Sequence, residues 1–236
     1  MQLASPGSRP EGRSAGRTVS RQVLADHVYE ELLASLMDGR LEPGTAVSID
    51  GTARELDVSP TPVREALARL EHTGMVRRVA LKGYRVAPVY TREDFAELME
   101  ARLAIEPVNA RLACARLTPE HLAELAKAVE DLKKAPRGPS FAEYRDYLEA
   151  DERFHRLIAE RTGNQFMVAA YGALGGQVQR FRLFGGVGIT DAEFAIAEHQ
   201  SVLDALASGD PEKSAQAMAE HVQQVRGRAI ADAPAG

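Results

Sequence analysis

Val58-Ser59-Pro60-Thr61-Pro62-Val63-Arg64-Glu65-Ala66-Leu67-Ala68-Arg69-Leu70-Glu71 decides the fold of the N-terminal part of this chain. Pro60 and Pro62 fall in or beside a first helical turn, where backbone N–H groups have no intrahelical acceptor, so proline costs little there. Ser59 or Thr61 can cap that turn. The pattern predicts a helix over about 60–73, preceded by a shorter one over about 50–57. Ala53 is small where the two must approach closely. Leu56, Val58, Val63 and Ala66 fall where a helix pair needs apolar contacts. Asp57 lies at the tight turn, and Asp is among the few non-glycine residues that enter the left-handed region tolerably. Together these make a helix-turn-helix over 49–73.

Upstream, Leu24, Val28, Leu32 and Leu36 recur at fours, with Tyr29, Leu33 and Met37 widening the stripe. This predicts a helix over about 21–38, ended by Gly39. Downstream, Met75 to Val79 and Tyr84 to Val89 read as two short strands around Leu81-Lys82-Gly83, with Gly83 supplying a positive φ at the hairpin tip. Between 59 and 89 the charges are Arg64, Arg69, Arg77, Arg78, Lys82 and Arg85 against Glu65 and Glu71, a local +4 in a protein of net charge −5. A charge run alone is usually a solvated surface. A helix-turn-helix followed at once by a hairpin reverses that reading. Thr61 and Arg64 point outward from a first turn suited to phosphate and base-edge contacts in the major groove. Ser59, Thr61, Arg64, Arg69, Lys82 and Gly83 are therefore the candidate DNA contacts, with the hairpin as a wing. Residues 1–20 are rich in Gly, Ser, Pro and Arg and read as a disordered tail. Its arginines have a solvated leader as the simpler explanation.

Beyond Val89 the pattern is helical throughout. Six helices are expected, over about 92–116, 119–135, 140–162, 164–184, 191–208 and 211–231. Thr118-Pro119 and Asp210-Pro211 each set a capping side chain before a proline. Thr190 with Glu193 fits a capping box. Pro107 is expected to kink the first of these helices. The fold class is mainly α: a disordered tail (1–20), a winged helix-turn-helix with a small β hairpin (21–89) and an all-α antiparallel bundle (90–232).

Composition bounds the function. Apolar residues make up 44% and charged residues 27% of 236, the balance of a soluble globular protein. No apolar run is long enough to span a bilayer, and the N-terminus has no apolar signal region. A single cysteine, Cys114, offers neither an intrachain disulfide nor a thiolate metal site. The expected compartment is the cytoplasm.

A second constellation lies in the bundle. Asp151 and His155 are four apart on one helix and share a face. His199 and His221 lie on the last two helices, about ten and eleven residues from the turn at Ser208-Gly209-Asp210. At roughly 1.5 Å per residue both sit some 15 Å from that turn, level with each other if the helices are antiparallel. One carboxylate and three imidazoles can hold a divalent ion with positions left open. His27, His72 and His121 show no such relation. Tyr144, Tyr147, Phe166 and Tyr171 are expected in the core.

These residues also carry a resemblance. Gly39-Arg40-Leu41-Glu42-Pro43-Gly44, the stretch Val58 to Glu71 and Gly74-Met75-Val76 resemble the winged-helix domain of GntR-family transcription regulators. Asp151-x-x-x-His155, Thr162-Gly163-Asn164, Glu198-His199, His221 and Glu100 to Pro107 resemble the FCD ligand-binding domain of the FadR-like branch. The resemblance implies a homodimer on a near-palindromic operator, with DNA contacts by Arg64, its neighbours and the wing. It implies a divalent ion, zinc foremost with nickel or manganese as alternatives, at Asp151, His155, His199 and His221. It implies a small organic acid as effector, with Arg102 pointing into the pocket and Arg180 and Arg182 as weaker candidates. Repression released by ligand is the common mode. A surface ion pair of Arg102 with Glu106 is the plain alternative. Pro60, Asp57 and Asp50 depart from residues common in the family, so its operator sequence does not carry over. The rival reading is a metal-dependent hydrolase or lyase with an appended DNA-binding domain, against which stands the lack of a clear general base or nucleophile motif. A purely structural metal is a third.

Overall fold

The computed structural model describes residues 15–80, 82–138, 140–182 and 191–232. The elements run α1 (Ala15–Met37), β1 (Ala46–Val47), α2 (Ile49–Glu55), α3 (Pro60–His72), β2 (Val76–Val79), β3 (Gly83–Val86), α4 (Arg92–Cys114), α5 (Pro119–Lys134), α6 (Phe141–Glu160), α7 (Gln165–Arg182), α8 (Ala192–Ala207) and α9 (Pro211–Asp232). Helix α1 starts inside the stretch expected as tail. Residues 1–14 lie outside the described residues.

The N-terminal unit packs α1 on α3 through Val28, Leu32, Leu36, Val63, Leu67 and Leu70, all buried. Leu24, expected in the same stripe, is 40% exposed. Asp57 takes φ 51° between α2 and α3, as its place in the tight turn requires. The sheet has antiparallel order β1-β3-β2. Strand β1, only two residues long, was not visible in the sequence pattern. It pairs Ala46 with Arg85 and Val47 with Tyr84.

Helix α3 ends in a glycine-based backbone closure. Thr73 is its C-cap and Gly74 follows at φ 74°. The Gly74 N–H donates to the Glu71 carbonyl at 3.0 Å and the Met75 N–H to the Leu70 carbonyl at 2.9 Å. That is a Schellman closure, which glycine permits without a Cβ penalty.

The six bundle helices start and stop within two or three residues of expectation. Thr91 and Thr118 open α4 and α5 through capping boxes with Asp94 and His121, which explains His121 without a metal. Asp210 caps α9 by accepting from Glu212 and Lys213 N–H groups at 3.0 and 3.1 Å. The N-cap of α8 is Asp191, and Thr190 lies outside the described residues. Helix α4 runs through Pro107 as one element. It lies against α9, antiparallel, with Arg111–Glu212 near one end and Arg226–Glu100 near the other.

The two units share apolar contacts. Leu132, Phe141, Tyr144, Tyr147 and Leu148 of the bundle join the winged-helix core. The Phe141 N–H donates to Asp38 at 2.8 Å. A Cβ on Gly176 of α7 would lie 2.9 Å from the Cα of Thr73, so α7 meets the end of α3 at a position where no side chain fits. Phe166, expected in the core, is 76% exposed.

Candidate metal centre and nucleic-acid interface

His155 on α6, His199 on α8 and His221 on α9 converge in the bundle interior, all at most 3% exposed. One ring nitrogen from each lies within 4.8 Å of the others. Nε2 of His155 and Nε2 of His221 are 3.3 Å apart. An Asp151 carboxylate oxygen is 3.3 Å from Nε2 of His199. The three histidines therefore meet at one point, and Asp151 of the i,i+4 pair reaches it beside His199.

The far side of each ring is also engaged. Nδ1 of His155 faces the Glu106 carboxylate at 2.7 Å. Nδ1 of His199 faces the Ala195 carbonyl at 2.6 Å. Nδ1 of His221 faces the Glu198 carboxylate at 2.9 Å. Acceptors at Nδ1 place the imidazole proton there and leave each Nε2 as a lone pair. Burial first, then the neighbouring imidazoles and Arg102, hold His221 neutral, well below the usual imidazole range. Three imidazoles at one centre with a carboxylate beside them are the donor set of a divalent transition ion, and these residues fit one.

Two guanidiniums hold the supporting glutamates. Arg102 pairs with Glu106 inside the protein, at 5% and 2% side-chain exposure. Burial alone would raise the Glu106 carboxyl, but Arg102 and His155 outweigh it and hold it well below the carboxylate range. Arg228 bonds both oxygens of Glu198 and reaches Asp191 at 2.9 Å. Arg102 is thus neither on the surface nor open along its whole guanidinium: Nε and Nη2 are turned to Glu106. Arg180 is on α7, and its side chain, like that of Arg182, lies outside the described residues. The sequence reading missed Glu106 and Glu198 as supports. The signals were present, since Glu106 is four residues from Arg102 and Glu198 precedes His199.

Tyr171 of α7 stacks on His155 with ring centroids 6.4 Å apart, and its hydroxyl donates to Glu152 at 3.0 Å. Burial raises the Glu152 carboxyl, partly offset by that bond.

At the N-terminal unit, Ser59, Thr61 and Arg64 are exposed around the start of α3. Lys82 is exposed beside Gly83, which has φ 80° at the start of β3. Arg69 does not join them. Five residues beyond Arg64 it is turned by about 140° around the helix. It bonds Asp26 of α1 at 2.6 Å and lies 4.0 Å above the Tyr29 ring. This arginine fastens α3 to α1, a role inside the protein beside the DNA contact expected of it.

Comparison with known proteins adds the family context. A family model described as "Bacterial regulatory proteins, gntR family" matches residues 24–86. One described as "FCD domain" matches residues 97–224. The "Probable D-xylose utilization operon transcriptional repressor" of Paenarthrobacter nicotinovorans is 29% identical over 209 residues, 89% of this chain and 90% of that protein. The HTH-type transcriptional regulator YcbG of Bacillus subtilis is 26% identical over 225 residues, 90% of this chain and 93% of that one. The solved structure of E. coli McbR/YncC has a TM-score of 0.68 at 25% identity, covering 87% of this chain and 96% of its own.

Proposed function

We propose, from the premise that this chain belongs to the GntR family of bacterial regulatory proteins and carries an FCD domain, that its regulatory activity is governed by a small carboxylate held at a divalent metal in the bundle. As a family member it is a DNA-binding transcription regulator, not a hydrolase or lyase. No helix among the described residues is long and apolar enough to cross a membrane.

The observation that carries the proposal is the convergence of one ring nitrogen from each of three histidines, with Nδ1 of each ring facing an acceptor and Asp151 beside His199. Asp151, His155, His199 and His221 would hold the ion. Zinc is the first choice, with nickel and manganese as alternatives. The ion supplies a Lewis-acidic anchor for an anion. The N–H groups of Arg102 not turned to Glu106 would take the other end of the acid. Arg180 is kept as a second contact of the same kind. Because α7 touches both the Tyr171–Glu152 pair and Thr73, a ligand that favours one position of α7 would favour one position of α3. Operator contacts are proposed for Ser59, Thr61, Arg64, Lys82 and Gly83. The chain acts as a homodimer on a near-palindromic site, as a repressor released by ligand.

The test is a thermal-shift screen of organic acids on metal-loaded and metal-stripped full-length protein, followed by operator gel shifts. An acid that stabilises only the loaded protein and releases operator is the expected result. An acid that releases operator and binds both forms equally would remove the metal from the effector site. If chelation lowers the melting temperature but leaves acid affinity unchanged, the metal is structural.

A further inference from the structure

The winged helix and the bundle are joined by very little chain. The Ala87 N–H donates to the Met75 carbonyl at 3.0 Å, so Ala87 is still tied to the winged helix. Thr91 is already the N-cap of α4, and Tyr90 packs against the bundle core. Pro88 and Val89, both exposed, are what lies between. Proline fixes its own φ and restricts the residue before it, so the span is short and stiff. It does not by itself set the angle between the two units, because ψ of Pro88 and both dihedrals of Val89 stay soft. Contacts at the junction must do that.

The winged unit is attached at the ends of two different helices. One attachment is at the end of α1, where Asp38 accepts from the Phe141 N–H beside the apolar contacts of α6. An attachment at one place leaves the unit free to turn about it. The other is at the end of α3, and it is built on Gln177 of α7.

The Tyr90 hydroxyl donates to Oε1 of Gln177. The same amide closes over Gly74, where a Cβ would lie 2.7 Å from both Oε1 and Nε2. Glycine at 74 therefore does two things. It takes φ 74° in the closure of α3, and it leaves room for a polar side chain to seat on that closure. Beside it, Gly176 admits Thr73 in the same way. Gln177 thus joins three pieces of chain: the last residue of the linker, the bundle helix that carries it and the end of the helix proposed to read DNA.

We infer that Gln177, held by Tyr90, sets the angle of the winged helix on its bundle and, through it, the spacing of operator half-sites that a dimer joined through its bundles accepts. This rests on the proposed homodimer on a near-palindromic site. In such a dimer each α3 is carried to its half-site by its own bundle, so the angle at the junction fixes the separation of the two α3 helices. One base pair more or less between half-sites moves them by about 3.4 Å and turns one against the other by about 35°. Two helices held at a fixed angle cannot follow that change, and two on loosened junctions can. Gln177 is a positioning residue that selects among operators without touching DNA.

The experiment uses full-length protein and an operator recovered by selection from random duplexes, its centre then lengthened or shortened by one and two base pairs. Gel-shift affinities give a spacing profile for wild type, Tyr90→Phe, Gln177→Met and the double variant. Tyr90→Phe keeps the ring against the bundle core, and Gln177→Met keeps the length of the side chain over Gly74. Each removes the hydrogen bond. Wild type is expected to lose about tenfold in affinity one base pair from its optimum, the scale on which a rigid dimer must strain the DNA. Each single variant should shrink that loss several-fold. The double variant should do no more than either single, because both break the same bond. A role in stability alone would lower the melting temperature and weaken every spacing by the same factor. A profile of unchanged shape in the variants therefore overturns the inference, as does a wild type that accepts every spacing alike. A duplex with one half-site separates the two proposals. If wild type binds it as tightly as the whole operator, the homodimer reading fails and this inference fails with it. If the whole operator binds far more tightly but the variants keep the wild-type profile, the inference alone is wrong.

Discussion

Nε2 of His155 and Nε2 of His221 face each other at 3.3 Å, and each ring turns its Nδ1 onto a buried glutamate, Glu106 or Glu198. Two imidazole lone pairs at that distance repel unless a proton or a cation lies between them. His199 brings a third nitrogen to the same place. Each protein around a divalent ion is therefore expected to carry about one metal. Elemental analysis of untagged protein should find it, and the combined His199→Ala and His221→Ala substitutions should remove it. Metal that survives the double substitution would lie elsewhere.

Glu198 would act on a bound metal only through His221. Glu198→Gln keeps the shape and leaves Arg228 its bond to Asp191, but removes the charge behind the ring. Loss of such a supporting carboxylate is expected to weaken metal binding about 10–100-fold. Competition with a calibrated chelator reads this directly. Unchanged affinity would mean that the His221 ring is oriented by packing alone.

Arg102→Ala is expected to cost about 3–5 kcal/mol of stability, because it leaves Glu106 charged and buried without its partner. Removing both charges at once, with Arg102→Met and Glu106→Gln, should recover most of that loss. Denaturant midpoints of the single and double variants check this. A single substitution that proves neutral would show that water reaches the pair. Effector binding at this position is better probed with Arg102→Lys, which keeps the charge.

Arg64 and Arg69 should separate cleanly. Arg64→Ala is expected to lose roughly 1–3 kcal/mol of operator binding if it contacts a base bidentately. Arg69→Ala should change operator affinity little and lower stability by about 1 kcal/mol, the scale of an exposed ion pair plus a cation–π contact. Gel shifts and melting curves on both variants decide. Equal losses of operator binding would return Arg69 to the DNA face.

The contrast between these arginines shows what the sequence makes legible. Periodicity within one helix, and height across one tight turn, are local geometry. They brought His155, His199 and His221 to one point, with Asp151 beside His199. Whether an exposed arginine turns to DNA or to a neighbouring helix depends on α1, forty residues away, and no spacing rule encodes it. The bond from Arg228 to Glu198 spans thirty residues and was invisible for the same reason. Strand β1 was missed because two residues carry no alternation. Tyr144 and Tyr147 read correctly as buried, but nothing in their spacing said that they are buried against the winged helix.

Gly175 and Gly176 are neighbours on α7 with different duties. A Cβ on Gly175 would meet the Glu152 carboxylate, and one on Gly176 would meet Thr73 at the closure of α3. Tyr171, one turn earlier, stacks on His155. One stretch of α7 thus touches the metal centre, its polar wall and the end of the helix proposed to read DNA. Gly176→Val places a branched side chain where backbone and side-chain atoms of Thr73 are 2.9 Å from the first new carbon. The overpacking is expected to cost about 1–3 kcal/mol and to push α7 from α3. If α7 carries the signal, the ratio of operator affinities without and with effector should fall toward one, from the 5–150-fold range typical of allosteric coupling. Effector affinity in the absence of DNA should change far less. Gly172→Ala is the control: it lies on the same helix, its Cβ would meet nothing within 4 Å, and alanine favours the helix by up to about 1 kcal/mol. It should leave the ratio unchanged. Gly176→Val protein that remains folded and keeps the wild-type ratio would show that the signal reaches DNA by another contact, of which the Phe141–Asp38 bond is the next to test.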